Sequence, residues 1–233
     1  MSMLERSTPL LGEDGIEKLN KSSVIVFGVG GVGSWCAEAL ARSGVGKITV
    51  VDGDAVSDSN RNRQLVALSS TLGKAKIDVS AERLKDINPD GIFSGIELFY
   101  SSETKDRIDL SEYDFIADCI DTVTSKLLLI AEANRLNVPI ISSMGTGNRL
   151  NPAFVTVKDI FETSGDPLAR VMRKELRARN VESLTVVLSE EVPGECFEGR
   201  NEETGRATPS SAVFVPATAG LRMAYEIVKR LIK

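Results

Sequence analysis

The sequence predicts an α/β chain with a Rossmann-like, doubly wound, mostly parallel sheet and a C-terminal α/β extension. Three observations predict it. Short β-branched apolar runs alternate with helical-period segments through residues 1–150. The apolar run Ser-Val-Ile-Val-Phe27 enters Gly28-Val-Gly-Gly-Val-Gly33. A second apolar run then ends on Asp52-Gly-Asp54. Strand, glycines, helix, strand, carboxylate is the order of a βαβ nucleotide-binding unit.

The elements follow in order. Residues 8–20 have amphipathic spacing and predict a helix leading into the first strand. Residues 23–27 and 47–52 are continuous apolar runs, the pattern of buried parallel strands, with a crossover helix over 34–43. Residues 55–73 are polar and lack a period; a connection of that length predicts a functional loop. Residues 74–88 place Ile77, Ala81, Leu84 and Ile87 on one helical face, and Asn-Pro-Asp-Gly91 is a turn. A weaker strand is expected over 92–100, and a strong one over 113–120 running into Asp121. A helix over 123–137 and a strand over 139–143 complete the alternation. Beyond it, strands are expected over 154–159 and 184–188, a helix over 167–179 with proline in its first turn, and a last helix over 217–231. Residues 189–209, rich in Glu, Gly and Pro, are expected to form a mobile loop. No linker or repeat interrupts the chain, so residues 1–233 form a single domain: a nucleotide-binding core, 1–150, and an extension, 151–233.

Composition removes several chemistries. The chain has 233 residues and no histidine, which excludes histidine triads, histidine-ligated zinc and a histidine general base. Three cysteines, Cys36, Cys119 and Cys196, are too few and too scattered for a disulfide framework or a four-cysteine zinc site. A net charge of −5 argues against non-specific nucleic-acid binding but leaves room for a local basic patch. No apolar run approaches the ~18 residues of a membrane span. The N-terminus has no apolar signal region, so the expectation is a cytoplasmic protein.

The glycines alone suit NAD as well as ATP. The residues after them shift the balance. Asn62, Arg63, Gln64 and the pair Lys74 and Lys76 add donors and positive charge that a dinucleotide pyrophosphate does not need and a triphosphate does. Asp121, at the carboxyl end of a parallel strand, stands where open α/β sheets bind ligands and where one carboxylate can help hold Mg²⁺.

As an ordered set, GVGGVGS, D-x-D-x-V-x-x-S-N from Asp52, N-R-Q, G-K-x-K and D-x-x-D resemble the adenylating enzymes related to the ubiquitin-activating E1 proteins, over residues 6–150. The segments RSTPLLGEDG, GVGSWCAEALARSG and DPLARVMRKELR extend the likeness to the tRNA threonylcarbamoyladenosine dehydratase branch. The resemblance implies ATP and Mg²⁺ as cofactors, a tRNA substrate, a homodimer and a sulfur-transfer partner such as a cysteine desulfurase. The implied reaction is cyclisation of threonylcarbamoyladenosine at tRNA position 37 through an acyl adenylate. It also implies roles. Gly28, Gly30, Gly31 and Gly33 would form the phosphate loop. Asp52 would hold ribose and Asp54 would shape the same pocket. Asn62 or Arg63, with Gln64, would face the triphosphate. Lys76, with Lys74 as the fallback, would bind phosphate, and Asp121 would bind Mg²⁺. Arg63, Lys76 and Asp121 are then the catalytic set. The alternative is adenylation of a ubiquitin-like sulfur-carrier protein; the lack of paired C-x-x-C motifs counts against it. Cys196 is the only cysteine near the place where some dehydratases carry one. Arg170, Arg173, Lys174 and Arg177 fall at helical spacing and are candidate tRNA contacts.

Overall fold

The two N-terminal strands set the frame. β1 (Ser23–Phe27) and β2 (Lys47–Asp52) are parallel and in register from Ser23–Lys47 to Phe27–Val51. A computed structural model describes residues 3–194 and 209–233. Cys196, and the part of the expected mobile loop from 195 to 208, lie outside the described residues.

The helix expected over 8–20 is two helices, α1 (Thr8–Leu11) and α2 (Glu13–Lys21). Gly12, at φ 78°, breaks them, a backbone angle that glycine adopts without strain. α3 (Gly33–Arg42) connects β1 to β2. α4 (Lys76–Ile87) follows the long loop, and β3 (Ile92–Glu97) is an edge strand, which explains its weak apolar pattern. Next come β4 (Phe115–Asp118), α5 (Val123–Leu136) and β5 (Ile140–Ser143). The extension adds β6 (Val155–Asp159), α6 (Pro167–Ala178), β7 (Thr185–Ser189) and α7 (Phe214–Leu231).

The seven strands run in the order β3-β2-β1-β4-β5-β7-β6. All pairings are parallel except β6 with β7, which is antiparallel. The extension therefore continues the core sheet. Chain order reverses between β1 and β4, a topological switch point with a crevice at the carboxyl ends of the strands.

Strand alternation divides the core into two layers. Val24 and Val26 join Cys36, Leu40, Met223 and Ile227 on one face, and Ile25 and Phe27 join Leu129, Ile130, Met172 and Leu176 on the other. Gly220 lets α7 lie tightly on α3, because a Cβ there would be 2.4 Å from the Val32 carbonyl oxygen. α7 thus backs the helix whose N-terminus faces the crevice.

Candidate active site

The glycine loop begins at the switch point. Gly28 sits at φ 84°, and a Cβ on it would meet the Cys119 carbonyl oxygen at 2.7 Å. Any other residue would push β1 and β4 apart where they open. The Val29 amide donates to Asp52 Oδ2 at 2.7 Å. The amides of Gly30, Gly31 and Val32, just ahead of α3, have no hydrogen-bond partner among the described residues. Unspent N–H groups at a helix start form an anion site.

Asp52 braces the loop. One carboxylate oxygen accepts from Val29 and the other from the Asp54 amide at 2.9 Å. Each oxygen keeps a lone pair for a hydroxyl donor. Asp54 Oδ2 is 2.7 Å from Lys76 Nζ, and Asp52 Oδ1 is 3.9 Å from it. Lys76 is buried in the first turn of α4, whereas Lys74 is exposed. The structure thus places Lys76, and not Lys74, beside the Asp52 and Asp54 carboxylates.

The long loop delivers Arg63 and Gln64 to the glycines. Two short 3₁₀ turns, Asp58–Asn60 and Ser69–Thr71, give it shape, and an Ala55–Ala75 bridge closes its base. The Arg63 side-chain stem passes 3.4 Å from where a Gly31 Cβ would stand. Its guanidinium donates to Ser59 O at 3.0 Å and Asn62 Oδ1 at 2.9 Å, and partial burial lowers its pKa. Gln64 is buried; its Nε2 lies 3.9 Å from the Gly30 Cβ position, and its Oε1 has no hydrogen-bond partner among the described residues. A buried acceptor left empty beside a phosphate-type loop fits a ligand that brings a donor. Asn62 is placed differently: it is exposed, donates to Ser211 O at 2.8 Å and accepts from Arg63. It ties Arg63 to the segment entering α7.

Asp121 follows β4 on the other wall. Its carboxylate is exposed, accepts from the Thr122 hydroxyl at 3.3 Å and pairs with no cation among the described residues. No cluster of three potential metal ligands exists among the described residues, so a metal here would draw most of its oxygens from phosphate and water. Cys36 is packed in the core and the partly buried Cys119 lies against it; burial pushes the Cys36 thiol up to about 12 and the Cys119 thiol well above its usual value. Neither is a nucleophile at neutral pH. The basic residues of α6 stand apart, beside α5. Arg170, Lys174 and Arg177 are exposed, with the Arg177 guanidinium 5.2 Å over the Phe161 ring, while Arg173 donates to Thr163 Oγ1.

The ThiF family model matches residues 4–233. The chain belongs to the ThiF family. It is 40% identical to tRNA threonylcarbamoyladenosine dehydratase of Bacillus subtilis, over 100% of this chain and 96% of the relative. The Escherichia coli dehydratase TcdA, solved in complex with ATP, superimposes with a TM-score of 0.87 at 31% identity, covering 99% of this chain and 93% of that one. Adenylyltransferase and sulfurtransferase uba4 of Aspergillus niger is 37% identical over 58% of this chain and 28% of its own length. The ThiF-type sheet seen here is thus the Rossmann-like fold of a solved ATP complex.

Two buried ion pairs of this ThiF-family chain escaped the sequence reading. Lys126 and Asp118 pair at 2.9 Å with both side chains fully buried. Arg149 and Asp166 pair at 2.7 Å, and Arg149 also holds the Gly145 carbonyl oxygen at 2.9 Å, while Asp166 caps α6 through the Ala169 amide. For Lys126 a signal existed: a lysine leading the apolar run Leu127-Leu-Leu-Ile130 must find a buried partner or leave the core.

Proposed function

We propose that this chain is an ATP-dependent tRNA threonylcarbamoyladenosine dehydratase. The observation that carries the reading is the reach of its likeness to the Bacillus subtilis dehydratase, which extends through the whole C-terminal extension, whereas the likeness to uba4 stops short. That difference disfavours a sulfur-carrier substrate.

The site's residues suit carboxylate activation. The free amides of Gly30, Gly31 and Val32, with Gly28 and Gly33 shaping the turn, receive phosphate oxygens, and Asp52 receives the ribose hydroxyls. Arg63 and Lys76 offset the charge that builds as the substrate carboxylate attacks the α-phosphorus and pyrophosphate departs. Asp54 orients Lys76, and Gln64 offers its empty acceptor to the nucleotide. Asp121 would hold Mg²⁺, which would supply Lewis-acid stabilisation of the phosphates. A carbamoyl oxygen or nitrogen of the threonylcarbamoyl group then attacks the acyl carbon, the carbon–oxygen bond to AMP breaks, and the N–H proton released on closure passes to water. ATP becomes AMP and pyrophosphate, and the nucleoside is lighter by one water. No histidine is needed, because positioning and charge stabilisation do the work.

The exposed Arg170, Lys174 and Arg177 of α6, with Arg173 beside them, contact tRNA phosphates. The protein works in the cytoplasm with its tRNA, as a homodimer, and can receive a sulfur-transfer partner. No described helix is long and apolar enough to cross a membrane.

The test is nucleoside analysis of tRNA carrying threonylcarbamoyladenosine after incubation with protein, ATP and Mg²⁺. A product lighter by one water, absent without ATP, is the expected result. ATP consumption only in the presence of a carrier protein ending in Gly-Gly would replace this reading with the sulfur-carrier one.

A further inference from the structure

The side chain of Asp121 makes a single hydrogen bond among the described residues, yet the backbone before it is held at every peptide. The Cys119 amide donates to Phe27 O at 2.8 Å. The Ile120 amide donates to Asp118 Oδ1 at 3.1 Å, and the Ile120 carbonyl accepts from Lys126 Nζ at 2.9 Å. The same Lys126 amine pairs with Asp118 Oδ2, which also accepts from Ser142 Oγ of β5. Lys126, Asp118 and Ser142 thus form a dry cluster spanning β4, β5 and α5. It grips both polar groups of the residue that precedes Asp121.

A buried ion pair is a poor source of stability. Removing two charges from water offsets much or all of their attraction, and apolar replacements of similar volume are often neutral or better. What the pair does supply is fixed geometry. Lys126, a buried cation on α5, reaches the Ile120 carbonyl while balancing the Asp118 carboxylate. The Cys119 carbonyl, on the other side of the same loop, abuts Gly28, which fixes residue 119, so losing the Lys126 hold frees Ile120 and Asp121 and leaves the phosphate loop in place.

We infer that Lys126, held by Asp118 and Ser142, is a positioning residue that aims the Asp121 carboxylate at the metal–phosphate site. The inference rests on the proposed Mg²⁺ role of Asp121. Lys126 touches no substrate. It acts through the Ile120 peptide.

The test measures ATP binding by calorimetry, without tRNA, across a Mg²⁺ titration and in EDTA, alongside thermal melting. The main variant is the double substitution Asp118→Asn/Lys126→Met, which removes both buried charges together. Ser142→Ala is the milder second variant, and Asp121→Asn is the reference. The double variant is expected to melt within about 5 °C of the wild type and to bind ATP normally in EDTA. Its half-saturating Mg²⁺ should rise about tenfold, the range seen when groups behind a metal ligand are lost. Ser142→Ala should shift it in the same direction by less, which keeps the test open if the double variant does not fold. Wild-type Mg²⁺ dependence in a folded double variant, or in Ser142→Ala where only that one folds, overturns the positioning role, provided Asp121→Asn does shift. An unshifted Asp121→Asn instead overturns the metal role of Asp121 and the inference resting on it.

Discussion

Lys76 Nζ lies 2.7 Å from the half-exposed Asp54 carboxylate and 3.9 Å from Asp52, which itself braces the glycine loop. On the proposed assignment of Asp52 to ribose and of the glycine loop to phosphate, this one buried cation stands between the two. A lysine on a flexible stem can leave Asp54 for a phosphate oxygen without moving α4.

Lys76→Ala should therefore separate activity from folding. Asp52 keeps its two backbone donors and Asp54 keeps water, so melting should change by a few degrees only. ATP-dependent pyrophosphate release with modified tRNA should fall roughly 10²- to 10³-fold, as when one preorganised donor is removed from a transition state. Lys76→Arg should rescue poorly, because a planar fork does not fit a site made for a point charge. Unchanged turnover in Lys76→Ala would remove this residue from the phosphate site.

Gly28 and Gly30 should fail differently. Gly28→Ala places a Cβ at φ 84° against the Cys119 carbonyl oxygen, so it should destabilise the fold by about 1–3 kcal/mol. A Cβ on Gly30 meets nothing nearer than Gln64 Nε2 at 3.9 Å, so Gly30→Ala should melt like the wild type. It should still weaken ATP binding at least roughly tenfold, or about 1.4 kcal/mol, by occupying the path of the phosphate. Denaturant melts and calorimetric ATP titration of both variants check the contrast.

These contrasts indicate which parts of the site the sequence could announce. β1 and β2 were legible because both faces are buried and the run is continuous; Gly28, Asp52 and Asp121 followed from strand ends. Boundaries shifted where tertiary contacts decide them. The α4 start moved from Lys74 to Lys76 because residue 75 bridges to Ala55. The last helix starts at Phe214 rather than 217, with Pro216 in its first turn. The strand expected over 113–120 ends at Asp118, where the carboxylate turns inward to Lys126. Asn62, read as an alternative to Arg63 for facing the triphosphate, directs its exposed amide to Ser211, 149 residues away. Pairings of that kind, like Arg149 with Asp166, have no local pattern to betray them.

Alkaline pH should erode stability through buried acids, Cys36 and Tyr100 among them. Burial pushes the Cys36 thiol from 9.0 to about 12. Burial first, then the nearby Glu132 and Asp106 charges, push the Tyr100 hydroxyl from 10.0 to about 12. Both protons stay on in the folded chain and leave in the unfolded one. The stability they contribute is therefore full below the unfolded values and is lost as pH rises from about 9 to about 12. Urea melts across that window should show falling stability, with a shallower fall in Cys36→Ala and in Tyr100→Phe. Parallel slopes in all three proteins would contradict this assignment.

The basic helix α6 yields the prediction that bears most directly on RNA. Arg173 is committed to Thr163, and Arg177 lies over Phe161, so these two have structural work in the free protein. Arg170 and Lys174 are exposed, one helical turn apart. Arg170→Glu/Lys174→Glu should therefore leave melting and ATP binding unchanged. It should weaken tRNA binding and reduce the salt slope of log K by about 0.7–0.9 per lost phosphate contact. Arg173→Glu should lower stability as well as affinity, because it also gives up the Thr163 hydrogen bond. Filter binding of tRNA at several salt concentrations distinguishes the cases. A slope identical to the wild type in the Arg170/Lys174 variant would place the tRNA elsewhere on the protein.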